Sequence, residues 1–323
     1  MKPLVALTAL LLLVSSGGSL SAQQKPPQTV VVAQAFQSLL YLPLYVGIDR
    51  GFFAKHGLNV KKVDAGGGAN GVASVIAGGA MFSLQDPMTA VLANQRGAKL
   101  TNIAVVVNGI PVWLIVRKDS SIKTIADLAG KSIATAIKPS TSSYLLQDFL
   151  AKKKIAATTT EVLLGTEVAP LAAGKVDAAA VYEPYLENAI ASCCRILTEF
   201  SREAEGGYTF STIDALDETL KKQPETVQAF VDGLGDAIRY IHSDAAGATQ
   251  VALTEFPTLA PEVVTAGVKR MLRENVYPAS PQIEKAAFEN ALALQISVGN
   301  IKPGTVTYDA AVDPQFAKRA SKK

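Results

Sequence analysis

The sequence predicts an α/β protein of two lobes, and three observations carry that prediction. Short apolar runs rich in valine, isoleucine and alanine alternate with helix-length segments from residue 28 to about 200. That alternation is the pattern of parallel sheets covered on both faces by helices. Once an N-terminal leader is set aside, about 300 residues remain, more than one hydrophobic core usually organises. After Phe200 the alternation stops, and the rest of the chain reads as almost wholly helical.

The elements follow in order. Residues 29–33 form a continuous β-branched run, the mark of a strand buried on both faces. Residues 43–55 read as one helix ending at His56-Gly57, where glycine supplies the left-handed turn. A strand over 59–63 leads through Gly66-Gly67-Gly68 to a helix over 71–77. A short strand at 80–84 precedes a helix from Asp86-Pro87 to Arg96, and 103–107 and 112–116 are two more strands. The second set comprises a helical turn at 125–131, strands at 132–136, 161–164, 178–182 and 195–197, and helices at 140–153, 167–173 and 183–191. Residues 201–207 are polar and glycine-bearing, a linker, and 208–212 reads as a strand. Helices are expected over 215–222, 224–242, 244–255, 261–273 and 281–296, with Pro224 in the tolerated first turn. The simplest layout is a discontinuous first lobe, 28–108 plus 207–300, with the second lobe, 109–206, inserted into it. Residues 301–323 then form a C-terminal tail, and the two chain crossings make a hinge.

The N-terminus has the order of a secretory signal peptide: Lys2, an apolar run over 4–14, then small residues ending Ser21-Ala22. The run is too short for a membrane span, which needs about 20 apolar residues. Residues 1–22 are therefore expected to be cleaved, releasing a soluble protein to the periplasm, and no cysteine lies there to carry a lipid. The charge is nearly balanced, 31 Lys+Arg against 28 Asp+Glu, which gives no basis for binding nucleic acid or anionic lipid. The lysines at 152–154 and 318–323 read as solvated helix and tail charges. Cys193 and Cys194 are the only cysteines. Adjacent cysteines pair only through a strained ring, so they read first as small apolar residues leading into a strand, while export keeps a vicinal disulfide open as the other reading.

Residues Pro43-Leu44-Tyr45-Val46-Gly47-Ile48-Asp49-Arg50-Gly51-Phe52-Phe53-Ala54-Lys55-His56-Gly57-Leu58 resemble the opening of the nitrate/sulfonate/taurine group of ABC-importer solute-binding proteins, relatives of the thiamine-pyrimidine synthases. The glycine loop 66–68, Asp127-Leu128-Ala129-Gly130-Lys131, Leu171-Ala172-Ala173-Gly174-Lys175-Val176-Asp177-Ala178 and Val181-Tyr182-Glu183-Pro184 match the same group in the same order. The resemblance implies a type II periplasmic-binding-protein fold, a small-molecule ligand between the lobes, a monomer, and delivery to an ABC permease in the inner membrane. It names no ligand, because members of this group bind chemically different solutes.

In open parallel sheets, ligands sit beyond the carboxyl ends of strands, where helix starts present unpaired N–H groups and partial positive charge. Applied here, that rule gathers Gln37, Tyr41, Gly67, Gly68, Gln85, Asp86, Ser140, Thr141, Ser142, Thr166, Tyr182 and Glu183. Gly66-Gly67-Gly68 either lets backbone approach a ligand closely or is a plain flexible turn; the family likeness favours the former. Ser140 reads as a helix N-cap, and four hydroxyls in a row leave others free for the cleft. Asp86-Pro87 and Glu183-Pro184 both place an acid before proline at a strand-to-helix turn. Aspartate is a preferred cap; glutamate is not, so Glu183 is expected to accept a hydrogen bond from the ligand. Tyrosines at 41, 45, 182 and 185 could stack on a flat ligand or simply pack, and Trp113 reads as core. With no arginine or lysine inferred at the strand tips, an anionic end would be held by helix-start N–H groups, and Glu183 would favour a zwitterion or a nitrogen heterocycle.

Enzyme chemistry is poorly supplied. The two histidines, His56 and His242, sit near helix ends and form no metal-spaced pair. No Gly-x-Ser-x-Gly elbow or nucleotide-binding glycine motif occurs. The synthase relatives use an active-site histidine and a cysteine-rich iron motif, and this chain has neither at the matching places. No catalytic residue, metal or cofactor is expected; a ligand-sensing module for a membrane receptor is the other non-enzymatic reading.

Overall fold

The computed structural model describes residues 26–203 and 206–322, so the expected signal peptide lies outside the described residues. Among the described residues ten strands form two five-stranded sheets. The first has the order β2-β1-β3-β10-β4, built from β1 (Gln28–Gln34), β2 (Leu58–Asp64), β3 (Phe82–Gln85), β4 (Leu100–Asn108) and β10 (Thr209–Leu216). The second has the order β7-β6-β8-β5-β9, built from β5 (Trp113–Arg117), β6 (Ser132–Ala136), β7 (Thr158–Val162), β8 (Ala178–Val181) and β9 (Cys194–Glu199).

Both sheets are mixed, which corrects the expectation of purely parallel ones. In each, one strand beside the edge runs against its neighbours: β10 against β3 and β4, and β5 against β8 and β9. The crossings explain both reversals. The chain leaves the first sheet at the C-terminal end of β4 and enters the second as β5. It leaves the second at the end of β9 and returns as β10. Each strand so entered begins where its neighbours finish, and must run the opposite way. The crossings lie side by side, with Gly109 N–H donating to Tyr208 O at 2.8 Å and Phe200 N–H to Val112 O at 3.1 Å.

Helices cover the sheets. In the first part of the chain they are α1 (Leu42–Asp49), α2 (Phe52–Lys55), α3 (Gly68–Ile76) and α4 (Pro87–Asn94). Beside the second sheet lie α5 (Thr141–Lys153), α6 (Val168–Ala172) and α7 (Tyr185–Ser192). The C-terminal third supplies α8 (Asp217–Lys222), α9 (Pro224–Ser243), α10 (Ala245–Glu255), α11 (Pro261–Arg273), α12 (Lys285–Ser297), α13 (Tyr308–Ala311) and α14 (Gln315–Ala320). The single helix expected over 43–55 is two, because Gly51 adopts φ +69°, a left-handed conformation that ends one helix and redirects the chain into the next. The redirected Phe53 ring stacks on Phe230 of α9 at 4.9 Å, and Phe230 stacks on Phe82 of β3 at 4.3 Å. A column of three rings thus ties α2 through α9 to the sheet.

Edges are managed by composition and by cover. The outer strand β7 is threonine-rich and largely exposed. It starts at Thr158, not at 161, since Leu163 and Leu164 run on past the sheet into the loop. The outer edge of β4 is covered: Val105 N–H donates to Pro281 O at 2.9 Å and Asn108 N–H to Val276 O at 2.8 Å, and Val312 bridges to Asn102. Pro281 is therefore engaged with that edge, and the helix expected from 281 begins at Lys285. Ala215 and Leu216, read as the start of a helix, extend β10 opposite Thr101 and Leu100. Beyond residue 300 the chain packs: Phe316, Ala317 and Ala320 of α14 are buried, and Gln228 Nε2 of α9 donates to Phe316 O at 3.1 Å.

Cys193 and Cys194 form a disulfide with each other, which corrects the reading of two unlinked apolar side chains. Cys193 caps α7 and Cys194 opens β9, and the turn between helix and strand is where the two sulfurs meet. Trp113 is buried on β5, as expected of a core residue.

The ring column predicts a specific sensitivity. A methyl group added at Gly233 of α9 would lie 2.6 Å from the Phe53 ring and 3.1 Å from its Cα. Backbone cannot yield as a flexible side chain can, so Gly233→Ala should destabilise the protein by about 1–3 kcal/mol. Equilibrium urea unfolding should show the lower midpoint with an unchanged slope.

Candidate functional site

A cavity of about 270 Å³ lies where the C-terminal ends of the two sheets face each other. Its walls are the loops that follow parallel strands: Ala35 and Phe36 after β1, Gly66–Asn70 after β2, and Gln85 and Asp86 at the end of β3. On the other side stand Ile137–Thr141 after β6, Leu163 and Leu164 after β7, and Tyr182 after β8. Phe210 and Ser211 of β10 form the back.

Three helices start at this cavity. Gly66 and Gly67 have φ of +73° and +146°, conformations that side-chain-bearing residues rarely adopt. They bring the first N–H groups of α3 to the wall, and α3 has no side-chain cap. At α4, Asp86 is the cap: its Oδ1 accepts from Met88 N–H at 2.8 Å. Its Oδ2 accepts from Thr141 Oγ1 at 2.5 Å, a hydrogen bond that crosses from one side of the cavity to the other. Burial pushes the Asp86 carboxyl up to about 6, while the bonds from Thr141 and Met88 pull the other way. At α5, Ser140 occupies the cap position but its side chain accepts from no backbone N–H of the helix, which corrects its assignment as a side-chain cap. Instead the Tyr182 hydroxyl accepts from Ser142 N–H at 2.9 Å, and Ser140 Oγ lies 3.1 Å from Ser142 Oγ and 3.4 Å from Tyr182 Oη.

Tyr41, Gly67, Gly68, Gln85, Asp86, Ser140, Thr141 and Tyr182 line the cavity together. The structure places the other four candidates elsewhere. Gln37 Nε2 donates to Glu255 O at 2.7 Å. Thr166 is exposed and its hydroxyl donates to Leu163 O at 2.7 Å. Ser142 is buried behind the wall. Glu183 is fully buried and faces Arg270 of α11 at 3.3 Å, so it is not presented to a ligand. Its main-chain oxygen accepts from Ser38 Oγ at 2.6 Å, and one carboxyl oxygen accepts from Glu187 N–H at 3.2 Å. Burial, then the neighbouring Glu187, pushes the Glu183 carboxyl up to about 8.

Several lining residues were not among the candidates. Lys138 stands two residues past β6, which corrects the view that no cation occupies a strand tip; its Nζ donates to Gln147 at 2.9 Å. Adjacency to Pro139-Ser140 was the available signal. Gln295 reaches the cavity from α12, buried, with its Oε1 accepting from Asn300 Nδ2 at 2.7 Å. A lone glutamine among the buried Ala, Phe and Leu residues of that helix was its signal. Phe36, Tyr182 and Phe210 form a chain of rings, with centroids 5.7 and 6.0 Å apart and planes inclined at 51° and 68°, a faceted apolar part of the wall. His56 and His242 are engaged elsewhere, with Asp236 and Pro278 O.

The raised Asp86 value has a definite sign. A buried acid whose folded value exceeds its ordinary one holds its proton more tightly when folded, so stability falls as pH rises from 3.8 to about 6. Asn can keep the cap without the charge. Across that interval Asp86→Asn should gain stability relative to the unsubstituted protein, read as converging or crossing thermal midpoints. Parallel pH profiles would contradict the assigned cause.

Comparison with known proteins places this arrangement. YtlA of Bacillus subtilis (strain 168) is 23% identical over 304 residues, 90% of each chain. Among solved structures, the ligand-binding component of an ABC-type import system from Staphylococcus aureus is 14% identical, covering 92% of this chain and 100% of its own with a TM-score of 0.75. The alkanesulfonate-binding protein SsuA from Xanthomonas axonopodis pv. citri, bound to MOPS, is 19% identical over 90% of this chain and 99% of its own, with a TM-score of 0.73. The desulfurization enzyme DSZB shares the fold as well, at 14% identity, 91% and 99% coverage and a TM-score of 0.69. The NMT1/THI5-like family model matches residues 40–248, well over half of the sequence, and the chain belongs to that family.

Proposed function

We propose that the protein is the solute-binding component of an ABC importer, and that the cavity holds a small organic solute between two lobes. The observation that carries this reading is the Thr141–Asp86 bond, which joins the loops of both sheets over a cavity walled by three helix starts. The lobes would be 28–108 with the C-terminal helices, and 109–206, hinged at the paired crossings. An anionic end would rest on the N–H groups opening α3 and on the first N–H of α5, the second being taken by Tyr182, and an apolar body on the rings of Phe36, Tyr182 and Phe210. Sulfonates, zwitterions and nitrogen heterocycles fit that division, and the sulfonate-binding neighbour supports it. Export by the leader over 1–22, a monomeric periplasmic form and capture by a permease belong to the same reading. The fold shared with a desulfurization enzyme gives the enzymatic alternative its support, but the ionisable side chains lining the cavity are Asp86, Lys138 and three tyrosines, with no histidine or cysteine among them.

A thermal-shift screen over sulfonates, aromatic carboxylates, amino acids and pyrimidines tests it. A solute binding only the folded state stabilises it by about 2.7 kcal/mol at a hundredfold excess over Kd. At least one class should raise the midpoint without being consumed; turnover, or no response from any class, would reject the reading. Thr141→Val keeps the shape but removes the donor to Asp86. A hydrogen bond to a charged group contributes about 1.5–3 kcal/mol, so the closed form should weaken and Kd rise about tenfold or more in calorimetry.

A further inference from the structure

Gln85 ends β3 at the cavity wall and is 1% exposed. Its Nε2 donates to Asp214 Oδ1 on β10. The other carboxylate oxygen, Oδ2, accepts from Ser83 Oγ at 2.6 Å. Asp214 itself is fully buried, directly opposite Ser83 in the antiparallel register. An ionised carboxylate only accepts hydrogen bonds. With Ser83 on one oxygen, the other can be satisfied only by the NH₂ side of the Gln85 amide, and this fixes which way the amide points. The Gln85 Oε1 is then left buried without a partner. An unmet buried acceptor is costly, and the residue that carries it belongs to a wall whose other polar groups are mostly donors: the helix-start N–H groups and the hydroxyls.

We infer that Asp214 is a positioning residue that locks the Gln85 amide with Oε1 presented to the ligand, so that the site selects solutes bearing an N–H or O–H donor opposite it. This rests on the cavity being the solute site. A ligand without the donor leaves the oxygen unpaired, whereas a ligand with it completes the chain from donor to Gln85 to Asp214. Discrimination of this kind is strong because the penalty falls on the wrong ligand.

The test uses isosteric probe pairs at mildly alkaline pH, where Asp214, pushed up to about 7 by burial, is ionised. The pairs are pyrrole-2-carboxylate against furan-2-carboxylate, and 2-aminoethanesulfonate against propane-1-sulfonate. In the unsubstituted protein the donor-bearing member of a pair that binds should bind about tenfold or more tightly, as one charge-linked hydrogen bond implies. Asp214→Asn, which frees the amide to turn, and Gln85→Met, which removes the acceptor, should each bring the ratio to within about threefold. Each variant is first checked for folding by its thermal midpoint. Equal affinities within a binding pair, or a ratio that survives both substitutions, overturns the inference. A second readout needs no ligand: in protein carrying ¹⁵N-glutamine, one Gln85 side-chain N–H should be shifted downfield and slow to exchange, and should lose both properties in Asp214→Asn. If no probe binds and the wider solute screen is silent as well, the importer reading fails by itself, and the NMR result still decides the orientation of the amide.

Discussion

The pair of strands that cross between the sheets is the constraint on which the rest depends. Because the two connections are hydrogen-bonded to each other near Gly109 and Tyr208, both must leave and enter at the same end of each sheet. That placement reverses β5 and β10, and it points the finishing ends of the other strands at one another. Every loop of the cavity follows from this. The glycine turn after β2, the aspartate cap after β3 and the serines after β6 are brought to one place by topology, and the Thr141–Asp86 bond then joins two of them.

What then holds the faces in contact is polar and largely buried. Arg270 lies among Glu187 at 2.5 Å, Glu183 at 3.3 Å and Glu274 at 3.5 Å, its side chain only 14% exposed. Three carboxylates around one guanidinium would repel if all were ionised in so dry a place. The raised value of Glu183 resolves the conflict: near neutral pH it keeps its proton, and Arg270 is shared chiefly with Glu187 and Glu274. Burial of Glu183 thus serves contact between α7 and α11 and removes it from ligand recognition. Asp86, with two donors and a place on the wall, is the acid left at the cavity.

The order of elements and the loops that make the cavity were legible in the sequence because both follow from local pattern. Alternating apolar runs mark strands, and a proline at its first position marks a helix such as Pro261–Arg273, where expectation and structure coincide. What escaped was set by partners distant in the chain. Nothing near Glu183 announces Arg270, eighty-seven positions later, so an acid beside a proline looked free to meet a ligand. The capping of α5 passed from Ser140 to Tyr182 for the same reason. Gln295 entered the wall from a helix that the strand-end rule does not consider, and the reversals of β5 and β10 depend on where the chain crosses, which no residue type encodes. The vicinal disulfide stayed open in the sequence, because adjacency argued against it while export allowed it.

The chain has one tryptophan, and the fold has put it in an informative place. Trp113 opens β5 immediately after the first crossing, buried, with its ring 5.9 Å from the Arg270 guanidinium that α11 contributes. An indole beside a cation on a facing element has an emission colour and yield that depend on that cation's position. The molecule therefore carries an intrinsic fluorophore where α11 meets β5, and light from this single side chain reports the position of the Arg270 guanidinium without any label being attached.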